Sequence, residues 1–163
     1  MTTVYLSLGS NVGDPIDNLI TAIGLIIETD GIAPAGLGSF YETEPLENTR
    51  QHWFVNTAVG VETDHDPQTL FLLFKQIERD MGREPGERNA PRLIDIDIVF
   101  YGDRIVTTPD LTIPHPKAAL RRFVLAPLND IDPGIRHPGL GLTVGELLAA
   151  CSVEGQEIRK AGP

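Results

Sequence analysis

The chain of 163 residues is poor in cysteine, in basic charge and in long apolar runs. Its single cysteine, Cys151, has no partner within the chain, so no disulfide framework holds the fold. Set in an apolar tail with helical spacing, it reads as a small buried hydrophobe. Staples are not required, because a chain of this length buries about two thirds of its unfolded surface in a single core. Thirteen Lys and Arg against 23 Asp and Glu leave a formal charge of −10. That balance argues against a nucleic-acid surface, which needs a basic patch to neutralise phosphates. No uninterrupted apolar run reaches the ~20 residues of a membrane span. The start, Met1-Thr2-Thr3-Val4-Tyr5-Leu6-Ser7, has no basic segment ahead of a long apolar one. A cytoplasmic location with no nucleic-acid or membrane partner is therefore expected. Internal repeats, low-complexity tracts and linkers are also lacking, so residues 1–163 are expected to form one domain with a frayed tail from about 154. Arg83, Arg88, Arg92, Arg121 and Arg122 can still serve a small polyanion locally.

What is present gathers in one stretch, from Arg88 to Tyr101. Pro91 biases the residue before it toward extended backbone, and the β-branched run after it reads as a strand. Alternation puts Ile94, Ile96, Ile98 and Phe100 on one face, and Leu93, Asp95, Asp97, Val99 and Tyr101 on the other. The two carboxylates then stand side by side, roughly 6–7 Å apart at Cα. Parallel carboxylates chelate hard cations, and Mg²⁺ is commonly held by one or two of them together with substrate phosphates. The bland alternative is the solvated face of an edge strand. Aspartate is depleted in strands, however, so two at alternating positions in an apolar strand need a reason.

Around this stretch the chain reads as alternating strands and helices. Val4, Leu6 and Leu8 alternate with Tyr5, Ser7 and Gly9 as a half-buried strand. Gly9 to Gly13 lacks the lysine and spacing of a P-loop and reads as a tight turn. Asp14-Pro15 opens a helix whose apolar stripe includes Ile16, Leu19, Ile23 and Ile26, closed by Asp30-Gly31. Ser39 to Leu46 is a second strand running into a loop. Phe54 to Glu62 is a third, with Val55, Thr57, Val59 and Val61 on one face and Phe54, Asn56, Ala58 and Gly60 on the other. Asp66-Pro67 caps a helix carrying Leu70, Leu73, Phe74, Ile77 and Met81. Residues 83–91 read as a flexible loop suited to a lid. Thr107 to Pro116 is a stiffened, exposed loop in which His115 is either structural or a phosphate donor. Leu120 to Leu128 is helical or extended, and Thr143 with Glu146 makes a capping box for residues 144–151. The order strand, helix, strand, strand, helix, strand, followed by a mostly irregular C-terminal third, gives an α+β fold. It is the βαββαβ pattern of a ferredoxin-like sandwich with extra C-terminal elements. Two helices cover one sheet face, leaving Asp95, Asp97, Phe54 and Asn56 on an open one.

Several segments together resemble the 6-hydroxymethyl-7,8-dihydropterin pyrophosphokinases of the folate pathway. They are Tyr5-Leu6-Ser7-Leu8-Gly9-Ser10-Asn11, Ser39 to Leu46, Phe54-Val55-Asn56, Gly82-Arg83, Pro91-Arg92-Leu93-Ile94-Asp95-Ile96-Asp97 and Ile113-Pro114-His115. The resemblance runs in order from residue 4 to about 150 and implies a single pyrophosphokinase domain, a monomer acting on two small molecules. It implies transfer of pyrophosphate from MgATP to the pterin hydroxymethyl group with release of AMP. It implies two Mg²⁺ ions at Asp95 and Asp97, and a pterin ring between Phe54 and Phe123, read by Asn56 and by backbone groups of Thr43 and Leu46. ATP contacts would fall to Glu78, Arg92, Ile98, Thr112, His115 and Arg121, with Arg83 and Arg92 steadying charge during transfer. The chain departs from many members at Lys75, where they have glutamine, and at Pro85, Asn89, Asp110 and Pro116. Two other readings fit the topology: a catalytically silent pterin- or nucleotide-binding module, and an RNA-binding domain, which the acidic balance disfavours.

Overall fold

The computed structural model describes residues 1–43, 53–82 and 93–162. Its helices start where the sequence predicts. In α1 (Pro15–Ile27) and α2 (Pro67–Asp80), Asp14 and Asp66 accept from the N–H groups of Asp17 and Thr69 at 3.2 and 2.7 Å, and proline fills the first helical position. Each cap satisfies a donor that the first turn leaves without a helical partner. The stripes Leu19, Ala22 and Ile26 of α1 and Leu70, Phe74 and Ile77 of α2 then pack on one face of an antiparallel sheet.

That sheet runs in the order β5 (Asp95–Tyr101), β1 (Thr2–Ser10), β4 (Phe54–Thr63), β3 (Phe40–Thr43), β8 (Ile158–Ala161), with β2 (Ile32–Leu37) also on β4. Val4, Leu6, Leu8, Val59, Val61, Ile94, Ile96 and Ile98 form its helix-covered core. Each such side chain contributes about 1.5–3 kcal/mol relative to exposure. Segment 32–46 thus holds two strands where the sequence suggests one, separated at Gly38, whose N–H donates to Ala58.

The opposite face is not open along its whole length, contrary to expectation. Helix α3 (Arg122–Ile131) and helix α4 (Val144–Ala150) lay Val124, Leu125, Leu128, Val144 and Leu147 against Ala58, Val99 and Phe100. The C-terminal third is therefore largely ordered structure. Of the two readings of Leu120 to Leu128, helical or extended, the helix is the one found, with Pro127 inside it although proline lacks the N–H for the i−4 bond. The expected capping box at Thr143 and Glu146 is present. The tail expected to fray after 154 instead forms β8, and Arg159 bonds Glu42 across to β3 at 2.6 Å. Thr107 to Pro116 contains half of a small hairpin, β6 (Val106–Thr107) with β7 (Thr112–Ile113), rather than only loop. Cys151 is half-buried at the end of α4, with its thiol donating to the Leu120 carbonyl at 3.4 Å.

One irregularity in β5 overturns a predicted face. Leu6 pairs with Ile98 but Tyr5 pairs with Phe100, so Val99 is an extra residue in the ladder. Beyond this bulge the parity of the strand reverses. Phe100, expected beside the isoleucines, joins the α3 face, while Tyr101 joins the core under α1 and α2. The Val99 carbonyl accepts from the backbone N–H of His115 at 3.0 Å. The same irregularity that switches faces therefore ties the β7 segment to β5. Among the described residues no helix is long and apolar enough to cross a membrane.

Candidate active site

The strand registers assemble the site. Gly9 of β1 lies opposite Asp95 on β5 and Asn56 on β4, and one step away Ser7 lies opposite Asp97 and Ala58. Because facing residues share a side of the sheet, Asp95, Gly9 and Asn56 form one row and Asp97, Ser7 and Ala58 the next. The expected pairing of the two carboxylates on one face holds, with Asp95 half-buried and Asp97 exposed. Phe54 is on the same face as Asn56, as the alternation of β4 predicts.

Asn56 is buried, and its Nδ2 donates to the Thr43 hydroxyl at 2.6 Å. Thr43 thus orients the amide with its side chain, a contact that the expected backbone role does not include. Gly9 makes room for this arrangement. A Cβ there would run into Asn56 Oδ1 and come within 3.7 Å of Phe54 Cδ1, so both side chains lean over the glycine. Gly9 and Ser7 carry no role in the sequence reading. A glycine inside an otherwise regular strand is the signal that finds the first, since it marks a close approach of something else.

A second group gathers where the 112–123 segment meets β5. His115 hangs from the Val99 carbonyl by its own N–H, and its Nδ1 accepts from the Lys117 N–H at 3.2 Å. The ring proton therefore resides on Nε2. His115 is half-buried rather than fully exposed, and burial, with Arg121 and Lys117 nearby, pushes its pKa down to about 4. Arg121 holds its guanidinium 5.4 Å from the centre of the Phe123 ring. Phe123 opens α3 and packs on the Ala58, Val99 and Val124 cluster, at the margin of the uncovered part of the sheet. Thr112 is exposed on β7.

Glu78 does not present its carboxylate to solvent. It is 1% exposed, with Oε2 accepting from the Ile96 N–H at 2.8 Å and Oε1 bound by Lys75 at 3.1 Å. The carboxylate, expected to contact ATP, is bonded to the strand that bears the aspartates. Ile98, two residues from Ile96, directs its backbone N–H and C=O to the same outer edge of β5. Arg83, Arg92 and Leu46, the loop 83–91 and the substitutions Pro85 and Asn89 lie outside the described residues.

The donor chemistry fits Mg²⁺. Asp95 and Asp97 offer hard oxygens two residues apart, and among the described residues no group of three or more His, Cys, Asp or Glu forms a protein cage for a metal. Mg²⁺ is usually bound by one or two carboxylates, with water and phosphate completing an octahedron.

Comparison with known proteins agrees with the geometry. The family model for 7,8-dihydro-6-hydroxymethylpterin-pyrophosphokinase (HPPK) matches residues 5–133. The chain is 38% identical over 157 residues to the 2-amino-4-hydroxy-6-hydroxymethyldihydropteridine pyrophosphokinase of Methylorubrum extorquens, covering 96% of this chain and 98% of that one. It is 42% identical over 144 residues to the folic acid synthesis protein FOL1 of Dictyostelium discoideum, covering 88% of this chain but 22% of that one. The wild-type HPPK-DHPS structure from Plasmodium falciparum has the same fold, with a TM-score of 0.73 at 17% identity over 91% of this chain and 44% of that one. The chain therefore spans about a fifth of the larger FOL1 and nearly all of the Methylorubrum protein.

The depressed His115 pKa has a stability consequence. From its ordinary value of about 6.5 down to about 4, the unfolded chain binds a proton that the folded ring refuses. Stability therefore falls as pH falls through that window, and this contribution levels off below it. His115→Gln is expected to flatten the fall, read as urea-unfolding free energy across the window in both proteins. An identical slope in the variant would show that the ring is not held neutral.

Proposed function

The chain belongs to the 7,8-dihydro-6-hydroxymethylpterin-pyrophosphokinase family, and from that premise we propose that it transfers pyrophosphate from MgATP to 6-hydroxymethyl-7,8-dihydropterin. The product side is AMP and the pterin diphosphate, a step of folate biosynthesis. The observation that carries this reading is the single row Asp95, Gly9, Asn56, with a carboxylate and a buried, oriented amide on one sheet face.

In this reading Asn56 reads the hydrogen-bonding edge of the pterin, oriented by the Thr43 hydroxyl and helped by backbone groups at Thr43 and Leu46. Phe54 and Phe123 bracket the ring, since offset stacking adds to buried area while the amide fixes orientation. Arg92, Thr112, His115, Arg121 and the Ile98 backbone hold ATP. His115 donates from Nε2 as a neutral ring, while Arg121 brings fixed positive charge and Phe123 steadies it. Asp95 and Asp97 would hold two Mg²⁺ ions, which when bound supply neutralisation of phosphate charge and activation of the hydroxyl. The hydroxymethyl oxygen gives its proton to solvent and bonds to the β-phosphorus as the bond from that phosphorus to the α-phosphate bridging oxygen breaks, and AMP departs with that oxygen. Arg83 and Arg92 stabilise the spread charge of this transfer, for which guanidinium forks are suited. We also place the fold among ferredoxin-like βαββαβ sandwiches, a reading supported by the order β5-β1-β4-β3 with α1 and α2 on one face. A cytoplasmic, monomeric enzyme belongs to the same proposal.

Incubation with MgATP and the hydroxymethyl pterin is expected to release AMP in step with pterin consumption; ADP, or turnover independent of pterin, would overturn the assignment. Asp95→Ala and Asp97→Ala are each expected to lower kcat by at least about 10³-fold with the circular-dichroism spectrum retained, given that charge stabilisation is most of phosphoryl-transfer catalysis. Near-normal rates in both would remove the metal site. Gly9→Ala is expected to push Asn56 off its bond to Thr43 and raise KM for the pterin about tenfold or more, the cost of roughly one hydrogen bond, with KM for ATP little changed. An unaltered pterin KM would place the pterin elsewhere.

A further inference from the structure

Helix α2 presents an apolar stripe to the sheet, and Glu78 interrupts it at a fully buried position, four residues after Phe74 and next to Ile77. A buried carboxylate is costly unless it is paired and hydrogen-bonded. Replacement of buried ion pairs by well-packed apolar residues is often neutral or stabilising, so stability alone does not account for this residue. Its bonds suggest another role. The N–H it accepts belongs to Ile96, the one residue between Asp95 and Asp97, and the bond is made on the outer side of β5, where the sheet has no further strand among the described residues. Asp95 is also the first residue of β5, so both carboxylates stand within three residues of a strand end. On the inner side β1 fixes this segment through the pairs Gly9 with Asp95 and Ser7 with Asp97. Glu78 supplies the hold on the other side, and Lys75, itself 30% exposed, grips the remaining oxygen.

We propose that Glu78 is a positioning residue for the paired carboxylates, fixing the backbone between them through the Ile96 N–H and itself anchored by Lys75. The proposal rests on the reading of Asp95 and Asp97 as the metal-binding pair. Groups that orient a metal's ligands typically matter to metal affinity by about 10–100-fold, and Glu78 acts at the backbone that aims both carboxylates at once.

The test measures binding of Mn²⁺, as a stand-in for Mg²⁺, by electron paramagnetic resonance in the presence of a nonhydrolysable ATP analogue, on the full chain. Glu78→Met keeps the volume and removes the acceptor. It is expected to weaken Mn²⁺ binding about tenfold or more while the thermal midpoint stays near or above that of the starting protein. Glu78→Gln keeps an oxygen for the Ile96 N–H and is expected to restore binding to within about threefold. A Glu78→Met protein that binds Mn²⁺ as tightly as the starting protein would overturn the proposal. So would a Gln variant as weak as Met, since the bond to Ile96 would then not be what matters. If the Met protein does not fold, Glu78→Asp decides, because a side chain one methylene shorter falls short of Ile96; unchanged affinity there also overturns the proposal. Asp95→Asn and Asp97→Asn separate the two readings. If they leave Mn²⁺ binding intact, the metal assignment itself fails. If they abolish it while Glu78→Met does not, only the positioning role fails.

Discussion

The register of β1 between its two neighbours is the constraint from which the rest of the site follows. A strand paired on both sides cannot slip by one residue without sending its core side chains to the opposite face. Val4, Leu6 and Leu8, all fully buried, therefore lock the position of Ser7 and Gly9 on the other face. Through the same ladder they set Asp95 and Asp97 on one flank and Asn56 on the other. The burial of three aliphatic side chains under α1 and α2 thus fixes the distance between groups on the opposite face of the sheet. Polar groups arranged in this way need little loop structure to hold them, which suits a site whose chemistry is mainly positioning.

The helix starts, the alternation of β4 and the shared face of Asp95 and Asp97 were legible because each rests on a local rule: a cap and a proline, or a period of two. What was not legible rests on partners far away in the chain. The bulge at Val99 has no marker, for a valine is an ordinary strand residue, and only the pairing with Tyr5 and Leu6 reveals that one residue is extra. Helix α3 is left undecided between helix and extended backbone because of Pro127, whose cost is met by tertiary burial of Val124, Leu125 and Leu128. Strand β8 has too polar a sequence to be read as a strand, and it forms because β3 offers a free edge to Ile158–Ala161. Glu78 shows the same limit within the site. The family resemblance points to the right residue, but its bond to Ile96 requires knowing that α2 lies across the outer side of β5.

The acidic balance of the chain and the anionic character of the proposed substrates are reconciled by where the charges lie. Arg121 and Lys117 flank His115 at one margin of the site, and the ring between them stays uncharged because burial disfavours its protonated form and the two cations add to that. The carboxylates lie on the sheet itself. A triphosphate meeting this surface would find positive charge from side chains at one margin and would need cations to approach the other. Metal dependence of the proposed transfer would in this sense follow from the charge layout and not be an addition to it.

The unpaired Val99 also bears on how the chain can change length. Upstream of it, even-numbered residues of β5 face α1 and α2; downstream, odd-numbered Tyr101 does. A one-residue deletion at the bulge would restore a regular ladder and leave Phe100 and Tyr101 on the faces they already occupy. It would also remove the carbonyl from which His115 hangs. An insertion nearer the start of the strand would turn both aspartates inward. The irregularity thus divides β5 into a segment that keeps its phase for chemistry and a segment that keeps it for packing.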